Sequence, residues 1–309
     1  KWEGHAITTA ITPDPDIAAR VQYWDSIVGP LLRQPVGVSN VELIRNYNAE
    51  SNVGDMVADS MRWKADMLDD GTVNGSVKIA FTNAGGLRAD ILVPVGGSLP
   101  ITITYGDTFS VLPFNNTLYT MDLTGWQIQA LLDQSAKLYK GILQSSGISH
   151  YWYNDCNCPN PTAWGAYGVK VGGELLVYTQ TYRVVTNNFL AGGGDSFTAF
   201  TKGTNRRDTG FDMQEGFNEW IGVNSPLNNP PDFGQRIVKL DKAVTILHTN
   251  DEHGRVYSEL YRGVPQGLTY LYSLVKVERA KNPNVLLLST GDTIQGNSFA
   301  FYSVSYTHL

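Results

Sequence analysis

The fold is decided by a strand-like run that leads into a glycine-rich turn, Val77-Lys78-Ile79-Ala80-Phe81-Thr82-Asn83-Ala84-Gly85-Gly86-Leu87-Arg88. The run at positions 77–81, apolar except for Lys78, predicts a β-strand, and the turn signal Asn74-Gly75 precedes it. The glycines that follow allow the backbone to turn sharply. The stretch therefore predicts a strand followed by a tight turn that ends in a polar residue.

A second strand-to-turn transition lies further along the chain. Two strand-like runs, at residues 174–178 and 182–186, lead into Asn187-Asn188-Phe189-Leu190-Ala191-Gly192-Gly193-Gly194-Asp195. The three consecutive glycines indicate a loop whose backbone can approach a bound molecule closely. The chain therefore has two glycine-rich turns, each of which follows a predicted strand.

Helical patterns lie between the predicted strands. Apolar residues at helical spacing predict one helix from residue 51 to residue 68, and the capping-box sequence Thr124-Gly125-Trp126-Gln127 begins another. Because strands and helices mix without strict alternation, residues 36–240 are predicted to form an α+β domain with a mixed sheet. From residue 243 the pattern changes to strand, helix and strand, which predicts an incomplete β-α-β unit at residues 243–302.

A further helix is predicted within residues 1–35. Asp14-Pro15 provides an N-cap and a proline in the first turn, and apolar residues follow at helical spacing. Such a helix is compatible either with a linker or with an ordinary core helix. The apolar positions of this helix are Ile17, Val21, Trp24, Val28 and Leu31.

The last residues of the chain, 303–309, do not continue the preceding pattern and are interpreted as a non-native tail.

The composition limits the classes of function. The chain has 309 residues, a length typical of two domains, and its 42% of hydrophobic residues suits buried cores. The net charge of -6 does not favour nucleic acid or an anionic membrane as a partner. No apolar run has the length of a membrane span. Few lysines, 16 tyrosines and abundant glycine and asparagine indicate an exported bacterial protein.

The two cysteines are Cys156 and Cys158, in a polar loop that contains prolines. A local disulfide, two free thiols and half of a metal site are all compatible with this spacing. The sequence does not decide between them.

A group of candidate metal ligands lies near the C-terminus, again after predicted strands. Asp251 and His253 follow the apolar run Val244-Thr245-Ile246-Leu247, and Asp292 follows Val285-Leu286-Leu287-Leu288. Carboxylates and an imidazole at the ends of neighbouring strands are suitable ligands for divalent ions, and Asp292 can bridge two of them. The alternative is a pair of surface turns. Two such motifs, each after an apolar strand, favour the metal site.

These C-terminal motifs resemble a known family. His248-Thr249-Asn250-Asp251-Glu252-His253-Gly254 and Ser289-Thr290-Gly291-Asp292-Thr293-Ile294-Gln295-Gly296 are similar to the start of the metallophosphatase domain of the 5′-nucleotidase family. The resemblance implies that Asp251 and His253 hold one of two divalent ions (Zn, Mn or similar) and that Asp292 bridges them. The family's downstream Asn-His and Gly-His-x-His motifs are missing, so we expect an incomplete metal site and no complete catalytic set in this chain.

Residues 36–240 resemble the other half of the same family, its C-terminal nucleotide-binding domain. In the family the metal domain comes first, so we expect phosphatase domains both upstream and downstream in a longer protein. Five motifs occur here in the family order: Glu50-Ser51-Asn52-Val53-Gly54-Asp55, Asn83-Ala84-Gly85-Gly86-Leu87-Arg88, Tyr105-Gly106-Asp107, Leu112-Pro113-Phe114 and Asn188-Phe189-Leu190-Ala191-Gly192-Gly193-Gly194-Asp195.

The resemblance assigns six residues to substrate binding: Asn83, Gly86, Arg88, Phe114, Phe189 and Asp195. Their chemistry suits a nucleoside clamp, because two aromatic rings can stack on a planar base and Asp195 can accept hydrogen bonds from ribose hydroxyls. Asn83 can donate and accept at a base or sugar edge, and Arg88 can hold a phosphate. The alternatives are core phenylalanines, a plain glycine turn and a solvated arginine. One departure is Ala49, where the family often has an arginine that helps to grip phosphate.

The implied function is that of the nucleotide-binding part of a bifunctional metallophosphatase and 5′-nucleotidase, which hydrolyses nucleotide phosphomonoesters in nucleotide catabolism. The fragment alone is expected to be inactive. The alternatives are a nucleoside-binding module without catalysis and a hydrolase of cyclic nucleotides or nucleotide sugars. The expected location is extracellular, cell-surface or periplasmic. The sequence does not determine the preferred base, the number of phosphates, the native metals or the oligomeric state.

Overall fold

The computed structural model describes residues 11–68, 76–154 and 164–240, together with the short stretches 245–249, 259–261, 264–266, 273, 275–277 and 285–289. The chain divides into two compact units, Lys1–Lys239 and Leu240–Leu309. Within the described residues, no helix has both the length and the apolar character needed to cross a bilayer.

The first unit contains both helices and strands along its whole length. Its helices are α1 (Pro15–Leu32), α2 (Asn52–Leu68), α3 (Tyr105–Val111), α4 (Gly125–Ala136), α5 (Asn188–Ala191) and α6 (Met213–Asn224). Its strands are β1 (Pro35–Ser39), β2 (Ile79–Asn83), β3 (Ile101–Thr104), β4 (Thr117–Thr124), β5 (Leu143–Ser146), β6 (Ile148–Tyr153), β7 (Gly165–Val171), β8 (Glu174–Leu175), β9 (Thr181–Asn187), β10 (Thr204–Asp212) and β11 (Ile237–Lys239). Short 3-10 helices lie at Ala84–Gly86, Gly194–Ser196 and Thr198–Lys202.

The strands of this unit form two mixed sheets and a ribbon. The central sheet has the order β10-β4-β9-β2-β5, in which β2 and β9 are parallel and the other neighbours are antiparallel. The second sheet has the order β11-β6-β7-β8, with β11 parallel to β6. β1 and β3 form an antiparallel ribbon. The predicted α+β class with mixed sheets is therefore confirmed.

Apolar cores cover both faces of the central sheet. Ala80 and Val185 belong to a core that includes residues of α2 and α6, whereas their neighbours Ile79 and Val184 belong to a second core with α4. Because successive side chains of a strand point to opposite faces, each strand supplies both cores. This position explains why all five residues of β2 are buried.

The predicted helices at residues 51–68 and after Thr124 are confirmed. α2 spans Asn52–Leu68, is buried at every residue from 52 to 58, and supplies apolar side chains to the first core. α4 begins with a complete capping box, in which the Thr124 side chain accepts from the backbone N–H of Gln127 and the Gln127 side chain accepts from the backbone N–H of Thr124. Local signals and tertiary packing agree in both helices.

Two predicted strands differ from the structure in their bounds. The strand predicted at residues 77–81 is Ile79–Asn83, so it extends as far as the polar side chain of Asn83. The strand predicted at residues 174–178 is shorter, Glu174–Leu175. Its second half forms a turn, because the backbone N–H of Gln180 donates to the carbonyl of Val177 at 3.1 Å.

Helix α1 has the predicted bounds at its start but does not bury its apolar residues in this unit. Asp14 caps the helix, and Pro15 is its first residue. The interpretation of α1 as a core helix of this unit is therefore wrong. The predicted apolar face is between 42% and 62% exposed at Ile17, Val21, Trp24, Val28 and Leu31.

The second unit contains a parallel pair of strands, β12 (Thr245–Thr249) and β15 (Val285–Ser289), and an antiparallel pair, β13 (Glu259–Tyr261) and β14 (Val264–Gln266). Thr249 pairs with Ser289, so the carboxyl ends of β12 and β15 lie side by side. The predicted metal ligands follow these ends in the sequence but lie outside the described residues, as do the two cysteines: Asp251, His253, Asp292, Cys156 and Cys158.

Candidate functional site

The candidate site lies where the parallel strands β2 and β9 of the central sheet end. Asn83 is the last residue of β2 and Asn187 the last residue of β9. Each strand is followed at once by a short helical segment, Ala84–Gly86 after β2 and α5 after β9, with glycines inside the first segment and directly after the second. The carboxyl ends of neighbouring parallel strands are a common place for ligand sites, because the loops that leave them diverge and form a crevice.

The turn after β9 places Phe189 and Asp195. Asn187 caps α5 by accepting from the backbone N–H of Leu190 at 2.8 Å, which fixes the start of the helix. The chain then reverses through Gly193, whose φ of 88° lies in the left-handed region that favours glycine. Asp195 has a φ of 53°, an uncommon conformation for a residue with a side chain. The loop thus presents Asp195 in a fixed position.

A chain of side-chain hydrogen bonds joins the two strand ends to this loop. The Asn187 amide donates to Asn83 Oδ1 at 3.2 Å, and Asn83 Nδ2 donates to Asp195 Oδ2 at 2.8 Å. Asn83 and Asn187 are both buried. The network therefore fixes the orientation of the Asn83 amide and leaves it one N–H for a ligand, whereas its oxygen already has a donor.

The two phenylalanines are exposed and not part of either core. Phe114 is 54% exposed and Phe189 is 46% exposed. The ring of Phe189 lies directly against Gly194, where an added Cβ would be 2.5 Å from the ring. The Arg88 guanidinium lies 5.8 Å from the centre of the Phe114 ring, within range of a cation–π contact. The alternative that these residues are core phenylalanines is therefore wrong.

All six predicted substrate-binding residues line one cavity of about 360 Å³. Such a volume is in the usual range for a small-molecule site. The complete lining is Tyr47, Asn83, Gly85, Gly86, Arg88, Phe114, Asn116, Lys140, Phe189 and Asp195.

Tyr47, Gly85, Asn116 and Lys140 were missed by the sequence prediction. Gly85 and Asn116 lie within two residues of predicted positions, so their proximity in sequence was a usable signal. Tyr47 and Lys140 come from segments that carry no motif. The structure brings them together because the backbone N–H of Ile142 donates to the carbonyl of Tyr47 at 2.9 Å.

The groups that line the cavity suit the binding of a small molecule. It offers exposed aromatic rings, a carboxylate held by an amide, and the two cationic side chains Arg88 and Lys140. A flat heterocycle with a hydroxylated and an anionic portion matches these groups. Among the described residues, no cluster of three or more histidine, cysteine or acidic side chains is placed to hold a metal ion.

Another polar cluster, centred on Arg236, has a structural arrangement. Arg236 donates to both carboxylate oxygens of Asp59 at 2.9 Å and to Asp232 at 2.7 Å. Burial raises the pKa of Asp55 to about 9, although the nearby Arg236 charge opposes this shift. The side chain of Glu50 accepts from the backbone of Gly234 and of Ile237. These contacts tie α2 to the segment before β11 and do not line the cavity.

A comparison with protein families shows what this chain resembles. The family model described as 5′-nucleotidase, C-terminal domain, matches residues 33–202, which is more than half of the chain. All six predicted substrate-binding residues fall within that match.

Individual relatives agree with the family match. A cell wall protein of Listeria monocytogenes is 32% identical over 205 residues, which cover 63% of this chain and 25% of the relative. A trifunctional nucleotide phosphoesterase of Bacillus subtilis is 35% identical over 181 residues, 56% of this chain and 11% of that protein. The chain therefore spans a quarter or less of these relatives' length.

A solved structure supports the same relationship. The crystal structure of a 5′-nucleotidase precursor from Thermus thermophilus matches with a TM-score of 0.62 and 30% sequence identity, over 75% of this chain and 44% of that one. The observed mixed sheets are thus those of a known fold.

Proposed function

The chain belongs to the 5′-nucleotidase family through the C-terminal domain of that family, and we propose from this premise that residues 36–240 bind the nucleotide for a metal-dependent phosphoester hydrolase. Its relatives include nucleotide phosphoesterases. The intact protein, in this proposal, hydrolyses nucleotide phosphomonoesters as a step of nucleotide catabolism.

The observation that carries the proposal is the convergence of Phe114, Phe189 and Asp195 on one cavity. The two rings come from separate segments, Phe114 from the loop after α3 and Phe189 from α5. Each keeps about half of its surface exposed, although phenylalanine side chains are usually buried. An exposed pair of rings beside a carboxylate fits a base and a ribose. This support is independent of the sequence motif that suggested the residues.

Each residue has a role that its contacts allow. Phe114 and Phe189 stack on the two faces of the base, which tolerates different bases because each has a π-face. Asp195 accepts from the ribose hydroxyls with the lone pairs that Asn83 leaves free. Arg88 binds the phosphate, because it lines the cavity and has no carboxylate partner among the residues of the described ranges.

The proposed metal ligands fit divalent ions in their chemistry but are too few. Two carboxylates and one imidazole, Asp251, Asp292 and His253, follow strands whose carboxyl ends lie side by side. Such donors suit Zn or Mn, and a pair of these ions supplies an activated water and charge neutralisation at phosphorus when bound. We therefore propose that this chain lacks a complete metal site and does not hydrolyse nucleotides by itself.

The proposal places the chain in a longer protein with phosphatase domains before and after residues 36–240. The small share of the relatives that the chain covers is consistent with this arrangement. We also propose an extracellular, cell-surface or periplasmic location, since the relatives include a cell wall protein and a 5′-nucleotidase precursor.

Calorimetry with AMP and adenosine on the 309-residue chain tests the binding proposal. The wild-type chain should bind both ligands. Phe189→Ala should lower both affinities by about tenfold or more, because stacking of a base on an aromatic ring contributes about 1–3 kcal/mol to the binding free energy. Phe109→Ala is the matched control, since Phe109 is also partly exposed but lies on α3 and does not line the cavity. Equal effects of the two substitutions, or no binding by the wild type, would overturn the proposal.

Two other functions compete with this one. The first is a nucleoside-binding module without catalysis, which would need only the cavity residues themselves. A hydrolase of cyclic nucleotides or nucleotide sugars would use the same clamp. A substrate panel on the longer polypeptide, with Mn or Zn added, separates these functions. Metal-dependent hydrolysis by the 309-residue chain itself would contradict the proposal that its site is incomplete.

A further inference from the structure

Lys140 is the second cationic side chain of the cavity, and neither the sequence motifs nor the family resemblance assigns it a role. We infer that Lys140 binds the phosphate of the ligand and makes the site selective for nucleotides over nucleosides. This inference rests on the proposed function and deepens it. The motivation is Ala49, which stands where the family often has an arginine that helps to grip phosphate, so another cation could supply that contact.

The charge balance of the cavity is the first argument. Two cations, Arg88 and Lys140, face one carboxylate, Asp195, which already accepts a hydrogen bond from Asn83. The chain as a whole has a net charge of -6, so the cavity, with its local excess of positive charge, differs in sign from the molecule as a whole. Such an excess in a concave site attracts an anion and favours its binding.

The lack of a protein partner for Lys140 is the second argument. Other cations of this unit form ion pairs: Lys64 with Glu219, Arg183 with Asp122 and Arg236 with Asp59. Lys140 has no carboxylate or hydrogen-bond partner within the described part of the chain, and its Nζ lies 5.2 Å from the centre of the exposed Tyr139 ring. An ammonium group with three free donors on a cavity wall is available to phosphate oxygens.

The backbone holds Lys140 at the cavity wall. Gly141 has a φ of 80°, and a Cβ there would lie 2.8 Å from the Tyr47 carbonyl oxygen, so the turn is pressed against Tyr47. The next residue, Ile142, is fully buried and donates its backbone N–H to that same oxygen. Tyr47 itself lines the cavity. The backbone position of Lys140 is therefore set by the protein's own contacts before any ligand arrives, which lowers the entropy cost of ordering this segment on binding.

The test compares AMP with adenosine by calorimetry on the 309-residue chain. Lys140→Gln should lower the affinity for AMP by about tenfold to a hundredfold, which is the usual effect of losing one charge-assisted hydrogen bond. It should change the affinity for adenosine by less than about twofold. Lys140→Arg should retain most of the AMP affinity. The affinity of Lys140→Gln for AMP should also depend less steeply on salt than that of the wild type, which a purely structural role would not produce.

Lys137→Gln is the matched control, because Lys137 is the exposed C-cap residue of α4, lies three residues before Lys140 and does not line the cavity. It should leave both affinities unchanged. If Lys140→Gln weakens AMP and adenosine equally, or neither of them, the role of Lys140 is wrong while the nucleotide site stands. If the wild type binds neither ligand, both the site and the role of Lys140 are overturned.

Discussion

At the scale of single residues, Gly194 determines where the ring of Phe189 lies. Three ring atoms of Phe189 are within 2.6 Å of the place where a Cβ of residue 194 would be. Real side-chain carbons do not approach so closely, so any side chain at this position must displace the ring. The glycine is thus required by the packing of the clamp rather than by its own backbone angle.

Gly194→Ala is therefore expected to weaken nucleotide binding by about tenfold, because the displaced ring loses its stacking on the base. The thermal unfolding midpoint should change little, since Phe189 is exposed and belongs to neither core. Calorimetry with AMP measures the first effect and a melting curve the second.

Gly192→Ala is the control for this substitution. It lies two residues earlier in the same loop, and its Cβ would meet only backbone oxygens at 3.5 Å and 3.6 Å, which are ordinary contacts. Equal losses of affinity in the two variants would show that the ring of Phe189 is not what Gly194 controls.

His150 predicts a pH dependence of stability. Burial lowers its pKa from 6.5 to about 4, and neither ring nitrogen has a hydrogen-bond partner in the described structure. Below pH 6.5 the unfolded histidine gains a proton that the folded one does not take up until about pH 4. The contribution of His150 to the unfolding free energy is therefore fully present above pH 6.5 and is lost as the pH falls toward 4.

His150→Leu should remove this dependence, because leucine is of similar size and does not titrate. Between pH 6.5 and pH 4.5 the wild type should lose about 2 kcal/mol of unfolding free energy more than the variant. Urea unfolding at both pH values measures the difference. Parallel pH profiles of the two proteins would refute a buried neutral histidine.

The residues of the site differ in how far the sequence could predict them. Asn83, Arg88, Phe189 and Asp195 could be predicted because strand, turn and ligand groups are contiguous in the chain. Lys140 could not, because its place depends on a backbone hydrogen bond between residues 142 and 47, distant in sequence. No local pattern encodes such a contact.

At the scale of elements, Arg236 connects α2 to the segment that precedes β11. Its side chain is 6% exposed and pairs with Asp59, which is 18% exposed. Taking charges out of water is costly, and the pair offsets that cost only while both partners are present. The connection is therefore sensitive to the loss of either partner.

Arg236→Met should reduce the unfolding free energy by about 3–5 kcal/mol, because it leaves Asp59 without its buried partner. Arg33→Met is the comparison, since the Arg33–Asp25 pair is exposed to solvent and should contribute at most about 1 kcal/mol. Urea unfolding at pH 7 gives both values. Similar losses in the two variants would mean that burial does not determine the strength of these pairs.

Elements were predictable where a local signal and tertiary packing agree. The capping box of Thr124 begins a helix that also buries Ile128 and Leu131, so the local capping signal and the packing against the core indicate the same helix. The run at residues 174–178 has strand-like composition, but the turn at Val177 and Gln180 ends the strand early. A run of apolar residues therefore did not fix the length of that strand.

At the scale of the whole molecule, the candidate cavity and the predicted metal ligands fall in different compact units of the chain. The cavity wall takes its shape from hydrogen bonds among its own side chains, such as that from Asn83 to Asp195. The described residues include no cluster of three or more histidine, cysteine or acidic side chains at the cavity. Ligand binding and metal binding should therefore be separable.

We accordingly expect EDTA to leave the affinity of the 309-residue chain for AMP unchanged within about twofold. Calorimetry before and after chelation is the measurement. A large loss of affinity in EDTA would mean that a metal ion contributes directly to the clamp, and the separation of the two sites would then be incorrect.

Helix α1 has a practical consequence for work with the purified chain. Its bulky nonpolar side chains, Tyr23, Trp24 and Ile27 among them, meet water over more than half of their surface. A surface of this kind is prone to self-association, so sedimentation velocity runs should show a mean mass that rises with protein concentration. Replacing Trp24 and Ile27 by glutamine should abolish that rise, and binding assays are best performed at the lowest concentrations that detection permits.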